Sequence, residues 1–110
     1  MNGARHPSPA AAPATATLSR VGPGRWRLDG VLNLATVVPL SSQCPEADAR
    51  GRSELDLGGI QRSSSAGVAL LLEWQSRLHA AGGRLHLTEV PEGLLRLAAL
   101  GNAAEILGLD

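Results

Sequence analysis

The chain has 110 residues, 44% of them hydrophobic, and its ten acidic residues balance ten basic ones to a formal net charge of zero. That length allows one domain around one core. The charge balance, with Trp26 and Trp74 as the sole aromatics, excludes a non-specific nucleic-acid binder, which needs a basic face and often stacking rings.

Residues 1–14 are rich in Pro, Ala and Ser and lack periodicity, which predicts a disordered tail ahead of a domain over residues 15–110. Residues 15–21 alternate weakly and residues 25–28 more clearly, with Trp26 and Leu28 on one face. Gly22-Pro23-Gly24 between them is a tight-turn signal, so the pair reads as a hairpin whose second strand ends at Gly30. Asn33 is the expected N-cap of a short helix through Ala35, Thr36, Val37 and Val38. Residues 41–53 are polar, contain Pro45 and read as a loop. Residues 54–57 form a short predicted strand, with Leu55 and Leu57 facing one way, before a turn at Gly58-Gly59.

Three serines, Ser63, Ser64 and Ser65, then lead into the longest helical signal, residues 65–81. Val68, Leu71, Leu72, Gln75, Leu78 and His79 recur at helical spacing and form its expected core face. Leu70 and Trp74 fall off that face, beside Arg77. Gly82-Gly83 stops the helix. Residues 84–88 alternate strictly, with Leu85 and Leu87 inward. Pro91 and Glu92 open a last helix that closes at Gly101-Asn102, and the apolar residues 103–109 are expected over a sheet edge. Strand–helix alternation with short links implies an α/β fold with parallel crossovers.

The chemistry-bearing candidates are few. Cys44 is the one cysteine, so no intrachain disulfide and no multi-cysteine metal site can form. His6, His79 and His86 are scattered without carboxylates or thiols at ligand spacing, so neither a metal nor a cofactor is expected. The glycine pairs lack the Lys-Ser/Thr of a phosphate loop, no Gly-x-Ser-x-Gly elbow occurs, and Ser65 has no local base. An enzyme is not expected. The N-terminus lacks the apolar run of a secretory signal and no window is long enough to span a bilayer, so a cytoplasmic protein without direct membrane insertion is expected.

The segments Trp26-Arg27-Leu28-Asp29-Gly30-Val31-Leu32, Leu55-Asp56-Leu57, Ser65-Ala66-Gly67-Val68-Ala69-Leu70-Leu71-Leu72 and Ala81-Gly82-Gly83-Arg84-Leu85 together resemble the STAS domain. That family comprises anti-sigma factor antagonists and soluble accessory subunits of lipid-transporting ABC systems. The run from Ala66 to Leu72 is most similar to the MlaB branch, subunits of a bacterial phospholipid transporter. The resemblance implies a mixed sheet with helices packed chiefly on one face. It also implies a non-catalytic role: docking on the transporter's ATPase subunit, and through that partner a peripheral place at the inner membrane. The alternative it implies is an antagonist that binds an anti-sigma factor kinase and is switched by phosphorylation at Ser65.

At the start of this helix the family's pattern is Asp, a hydroxyl residue, a small residue and Gly. Here Ser65, Ala66 and Gly67 match, while Ser64 stands where the acid is expected. That departure favours contact without phosphorylation over a phospho-switch. The resulting expected partner-binding set is Ser64, Ser65, Ala66, Gly67, Leu70 and Trp74. Several residues keep a second reading. Ser65 can simply sit in a first turn capped by its neighbours. Gly67 can reflect close approach by this chain's own backbone or a partner's, or plain tolerance near a helix end. Trp74 can be an interface anchor or a side chain folded over the core edge. Gln75 can be a satisfied core polar residue or a sign that its face meets solvent.

Overall fold

The structure is a computed structural model that describes residues 14–109, so residues 1–13 of the expected tail lie outside the described residues. Its elements in chain order are β1 (Ala16–Gly22), β2 (Arg25–Leu32), α1 (Leu34–Leu40), β3 (Arg52–Ser63), α2 (Ser65–Ala80), β4 (Arg84–Thr88) and α3 (Glu92–Leu100). The strands lie side by side in the order β1-β2-β3-β4. The β1–β2 hairpin is antiparallel, and β2–β3 and β3–β4 are parallel pairs joined through α1 and α2. This is a mixed-sheet α/β fold.

Alternation along the strands decides where the core sits. Leu28 and Leu32 of β2, Leu55 and Leu57 of β3 and Leu85 of β4 are buried. They pack with Val37 and Leu40 of α1, with Val68, Leu71, Trp74 and Leu78 of α2, and with Leu94 and Ala98 of α3. The charged residues between them, Arg25, Arg27, Asp29, Glu54 and Asp56, are exposed or half-buried. On that other face Arg27 bridges Asp29 at 2.8 Å and Asp56 at 3.2 Å, and Arg25 lies 3.8 Å from Glu54. Arg27 takes its charge still more firmly for the Asp29 contact. The helices therefore cover one side of the sheet.

Two expected strand ends move. β2 runs through Gly30, which adopts φ 112°, and continues to Leu32. A side chain at Gly30 would strike the backbone of Thr15, just before β1, and of Ala16, its first residue, so only glycine lets the hairpin close there. β3 is twelve residues long instead of four and passes straight through Gly58-Gly59. The ladder with β2 slips between Arg27 and Asp29 and again between Gly30 and Val31, so β3 gains an extra residue at each point. Glycines that read as a turn instead sit at a bulge, which extends β3 until Ser63 pairs with Leu32.

Loop 41–51 is fastened from both tryptophans. Trp26 Nε1–H donates to the Glu46 carbonyl at 2.9 Å and Trp74 Nε1–H to the Gln43 carbonyl at 2.6 Å. The buried Ser53 hydroxyl donates to Pro45 O at 2.7 Å. At the far end of α2, Gly83 N–H bonds back to Leu78 O at 2.7 Å and Gly82 has φ 83°, the expected glycine stop. Residues 103–109 bury Ala103 and Leu107, and Leu107 and Gly108 lie beside β4, in keeping with the expected cover of an edge.

Candidate docking site at the start of helix α2

The extended β3 delivers the serines to a corner where two helices begin. Ser64 N–H donates to Leu32 O at 2.8 Å, so the last residue of β2 holds the chain just before α2. Leu32 is followed by Asn33, the N-cap of α1. The Asn33 side chain accepts from Thr36 N–H at 3.0 Å while Thr36 Oγ1 accepts from Asn33 N–H at 3.0 Å, a reciprocal capping box. Ser64 caps α2 in turn, its hydroxyl accepting from Ala66 N–H at 3.2 Å. Leu34 and Ser65 are thus the first residues of two neighbouring, separately capped helices.

The corner is closely packed underneath and open above. Gly67 is buried, and a side chain there would run into Ser63 Oγ and lie 3.0 Å from Leu32 Cδ1. The close approach is therefore made by this chain's own strand ends. Ser64 and Ser65 are exposed and Ala66 is half-buried. None of the hydrogen bonds at the corner uses the Ser65 hydroxyl. Beside the serines, Leu34 and Val38, one turn apart on α1, are 72% and 60% exposed. Neither helix carries an acidic residue in its first turn, and Arg62 is exposed two residues before the cap. The surface is apolar and hydroxylic, with the positive ends of two helix dipoles behind it.

Two expected members do not reach this surface. Trp74 is 0% exposed and Leu70 is 1% exposed. Both lie in the core, against the expectation that they stand off the core face. The buried stripe of α2 is Gly67, Val68, Leu70, Leu71, Trp74 and Leu78, while His79 is exposed and Leu72 half-buried. Three consecutive leucines at 70–72 leave the phase of the helix ambiguous, and α1 and α3 on either side widen the arc that can be buried. Arg77 does not flank an exposed indole. It pairs with Glu73 and donates to Gln43 O, the carbonyl that Trp74 also uses. Gln75 is satisfied, its amide bonded to both N–H and C=O of Leu85 at 2.9 and 3.0 Å.

Leu34 and Val38 are the residues that sequence reasoning missed. No local signal marks them: they become surface because a seven-residue helix that buries Thr36, Val37 and Leu40 turns its other apolar residues outward. Among the described residues no three His, Cys, Asp or Glu side chains come together as a metal site would require. Cys44 is half-buried, and burial pushes its thiol up, away from the reactive thiolate.

A protein-family model described as "Mlab, STAS domain" matches residues 17–108, which spans every strand but the first residue of β1 and all three helices. The chain belongs to the STAS domain family. Proteins of this family are typically non-catalytic regulatory or accessory domains. A comparison with curated proteins returns no match. In this STAS domain the departure at Ser64 has a local meaning. Ser and Asp are both strong N-cap residues, so Ser64 supplies the cap that the family's acid could supply, without its charge. No helix among the described residues of this STAS domain is long and apolar enough to cross a membrane.

Proposed function

We propose that this STAS domain is a non-catalytic accessory subunit that docks on the ATPase of an MlaB-type phospholipid ABC transporter, at the cytoplasmic face of the inner membrane. The observation that carries this reading is the exposure of Leu34 and Val38 beside Ser64 and Ser65 on a doubly capped platform. Interfaces draw most of their energy from a few apolar anchors surrounded by polar contacts. Leu34 and Val38 are the anchors in this proposal, replacing Leu70 and Trp74. Ser64, Ser65 and the edge of Ala66 supply the polar and small contacts around them. Gly67 supports the platform from inside. The subunit stabilises the ATPase and tunes its activity by occupying this surface.

The test is co-expression with the ATP-binding subunit of such a transporter, followed by co-purification and an ATPase assay. A stable complex lost on Leu34→Ser or Val38→Ser supports the reading, and no complex with the ATPase overturns it. A phosphorylation-switched antagonist would use the same corner, with a phosphate on Ser65 adding about two negative charges. Mass spectrometry after incubation with an anti-sigma factor kinase separates the two. A phosphorylated Ser65 whose modification abolishes kinase binding favours the antagonist.

A further inference from the structure

The C-terminal half of α2 faces a second feature, about 20 Å along the helix from Ser65 at 1.5 Å per residue. A cavity of about 450 Å³ is lined by Leu72, Gln75, Ser76, His79, Arg84 and Ile106. A smaller one of about 130 Å³ continues from Gln75 and Arg84 along the outer edge of β4, past His86 and Leu87. Among the described residues neither is lined by a carboxylate. A larger cavity, about 620 Å³ beneath loop 44–51, differs in that Glu46 and Asp48 offset Arg50 and Arg77.

Arg84 stands at the junction. It takes part in none of the ion pairs among the described residues. Its cross-strand partner on β3 is Arg52, which is likewise in none of them. Like charges directly opposite each other destabilise a sheet unless something negative joins them. Next to this cation lie apolar groups open to water: Ile106 is 62% exposed and Leu72 is half-buried.

The edge itself narrows the choice of occupant. Leu85 turns its N–H and C=O away from β3, where an added strand would pair with them. The Gln75 amide already holds both. An extended peptide cannot add to β4 at that point, so the groove suits a small molecule.

We propose that this groove binds a single-chain amphiphilic anion, its phosphate or carboxylate head on the Arg84 guanidinium and its alkyl chain over Leu72 and Ile106. The planar fork of Arg84 suits two oxygens of either head group, and His79 and His86 stand on either side as further donors. The site is independent of the docking corner and needs no partner protein.

The test is titration of the ¹⁵N-labelled full chain with octyl phosphate below its micellar concentration, with octanoate and inorganic phosphate in parallel. Saturable amide shifts are expected at Leu72, Ser76, His79, Arg84, His86 and Ile106, with octyl phosphate at least about tenfold tighter than inorganic phosphate, the worth of two buried methylenes. Arg84→Gln should weaken octyl phosphate several-fold. Ile106→Ser should weaken octyl phosphate but leave inorganic phosphate unchanged. Both side chains are exposed, and the wild-type map stands whether or not a variant folds. Unsaturable shifts, shifts centred elsewhere, equal affinity for inorganic phosphate, or Arg84→Gln binding as well as wild type would each overturn the proposal. Tighter octanoate than octyl phosphate assigns the head group as a carboxylate.

Discussion

The indole Nε1–H of Trp74 donates to the main-chain carbonyl of Gln43 across a sequence separation of 31 residues, at 2.6 Å. That bond fastens loop 41–51 to the middle of α2, and the Arg77 guanidinium reaches the same carbonyl at 3.2 Å. The side chain that most resembled an interface anchor is therefore an internal tie.

Trp74→Ala should cost about 3–5 kcal/mol, since a large buried aromatic leaves a cavity that close-packed neighbours fill only partly. A domain of this size has about 5–15 kcal/mol in total, so the variant is marginal or unfolded. Trp74→Phe keeps most of the ring volume and loses the donor, and should cost about 1–3 kcal/mol. Urea denaturation followed by circular dichroism measures both. A Trp74→Ala protein as stable as wild type would contradict the packing described.

Gly67→Ala pits helix propensity against space. Ala is about 1 kcal/mol better than Gly inside a helix. Here the added methyl would meet Ser63 Oγ and come within 3.0 Å of Leu32 Cδ1 and 3.1 Å of Leu32 Cβ. The variant should be less stable than wild type. Ser63→Ala in the same chain should recover part of the loss, because the nearest obstacle is that hydroxyl. The denaturation midpoints of the two single variants and the double variant give the coupling. A stabilised Gly67→Ala would mean that Leu32 gives way freely.

Much of this architecture could be read from local signals. The Asn33 cap, the Gly82-Gly83 stop and the strand over Arg84–Thr88 each rest on a few neighbouring residues, and each is found where expected. The errors fall where the deciding partner is distant in sequence. Gly58-Gly59 is a turn signal only if no neighbouring strand holds it, and β2 holds it in a bulge. Leu70-Leu71-Leu72 fits several helical phases, including one that turns Trp74 and Leu70 outward. The phase is chosen by Gln43, Leu32 and Leu85, which contact α2 from elsewhere in the chain. At the candidate site the serines were visible, whereas Leu34 and Val38 become surface only once α1 is known to stop after seven residues.

The serine corner should separate stability from binding. Ser64→Ala removes the cap on Ala66 N–H and should cost about 1 kcal/mol. Ser65→Ala should change stability by less than about 0.5 kcal/mol, since that exposed side chain is not used at the corner. Leu34→Ser and Val38→Ser should also fold normally and yet lose the partner. Thermal melts paired with pull-down of the ATPase subunit distinguish the cases. Loss of melting temperature in Leu34→Ser would show that the exposed leucine supports the fold instead.

Cys44 should be a slow nucleophile. Burial is the main cause of its raised thiol pKa, with Glu46 adding to it and Arg77 opposing it. Near pH 8 the thiolate fraction is accordingly below that of a free cysteine. Iodoacetamide should label the folded chain more slowly than glutathione, and unfolding in urea should raise the rate to the glutathione value. Equal rates before unfolding would place the thiol in water.

Asp48 links the loop to acid stability. Its carboxylate oxygen Oδ1 accepts from Arg50 N–H at 2.8 Å and from Arg52 N–H at 3.0 Å, so it closes the turn that enters β3. The Arg52 bond is the larger cause of its lowered pKa, followed by the Arg50 bond. A carboxylate whose folded pKa lies below its unfolded value stabilises the fold above the ordinary aspartate range, near 3.9, and loses that contribution as pH falls through the folded pKa. Asp48→Asn keeps an oxygen that can accept the same two N–H groups and removes the charge. The stability gap between wild type and Asp48→Asn should therefore be widest at neutral pH and close between about pH 5 and pH 2. Urea midpoints across that range measure it. A gap that stays constant with pH would show that the turn needs only an acceptor at residue 48 and draws nothing from its charge.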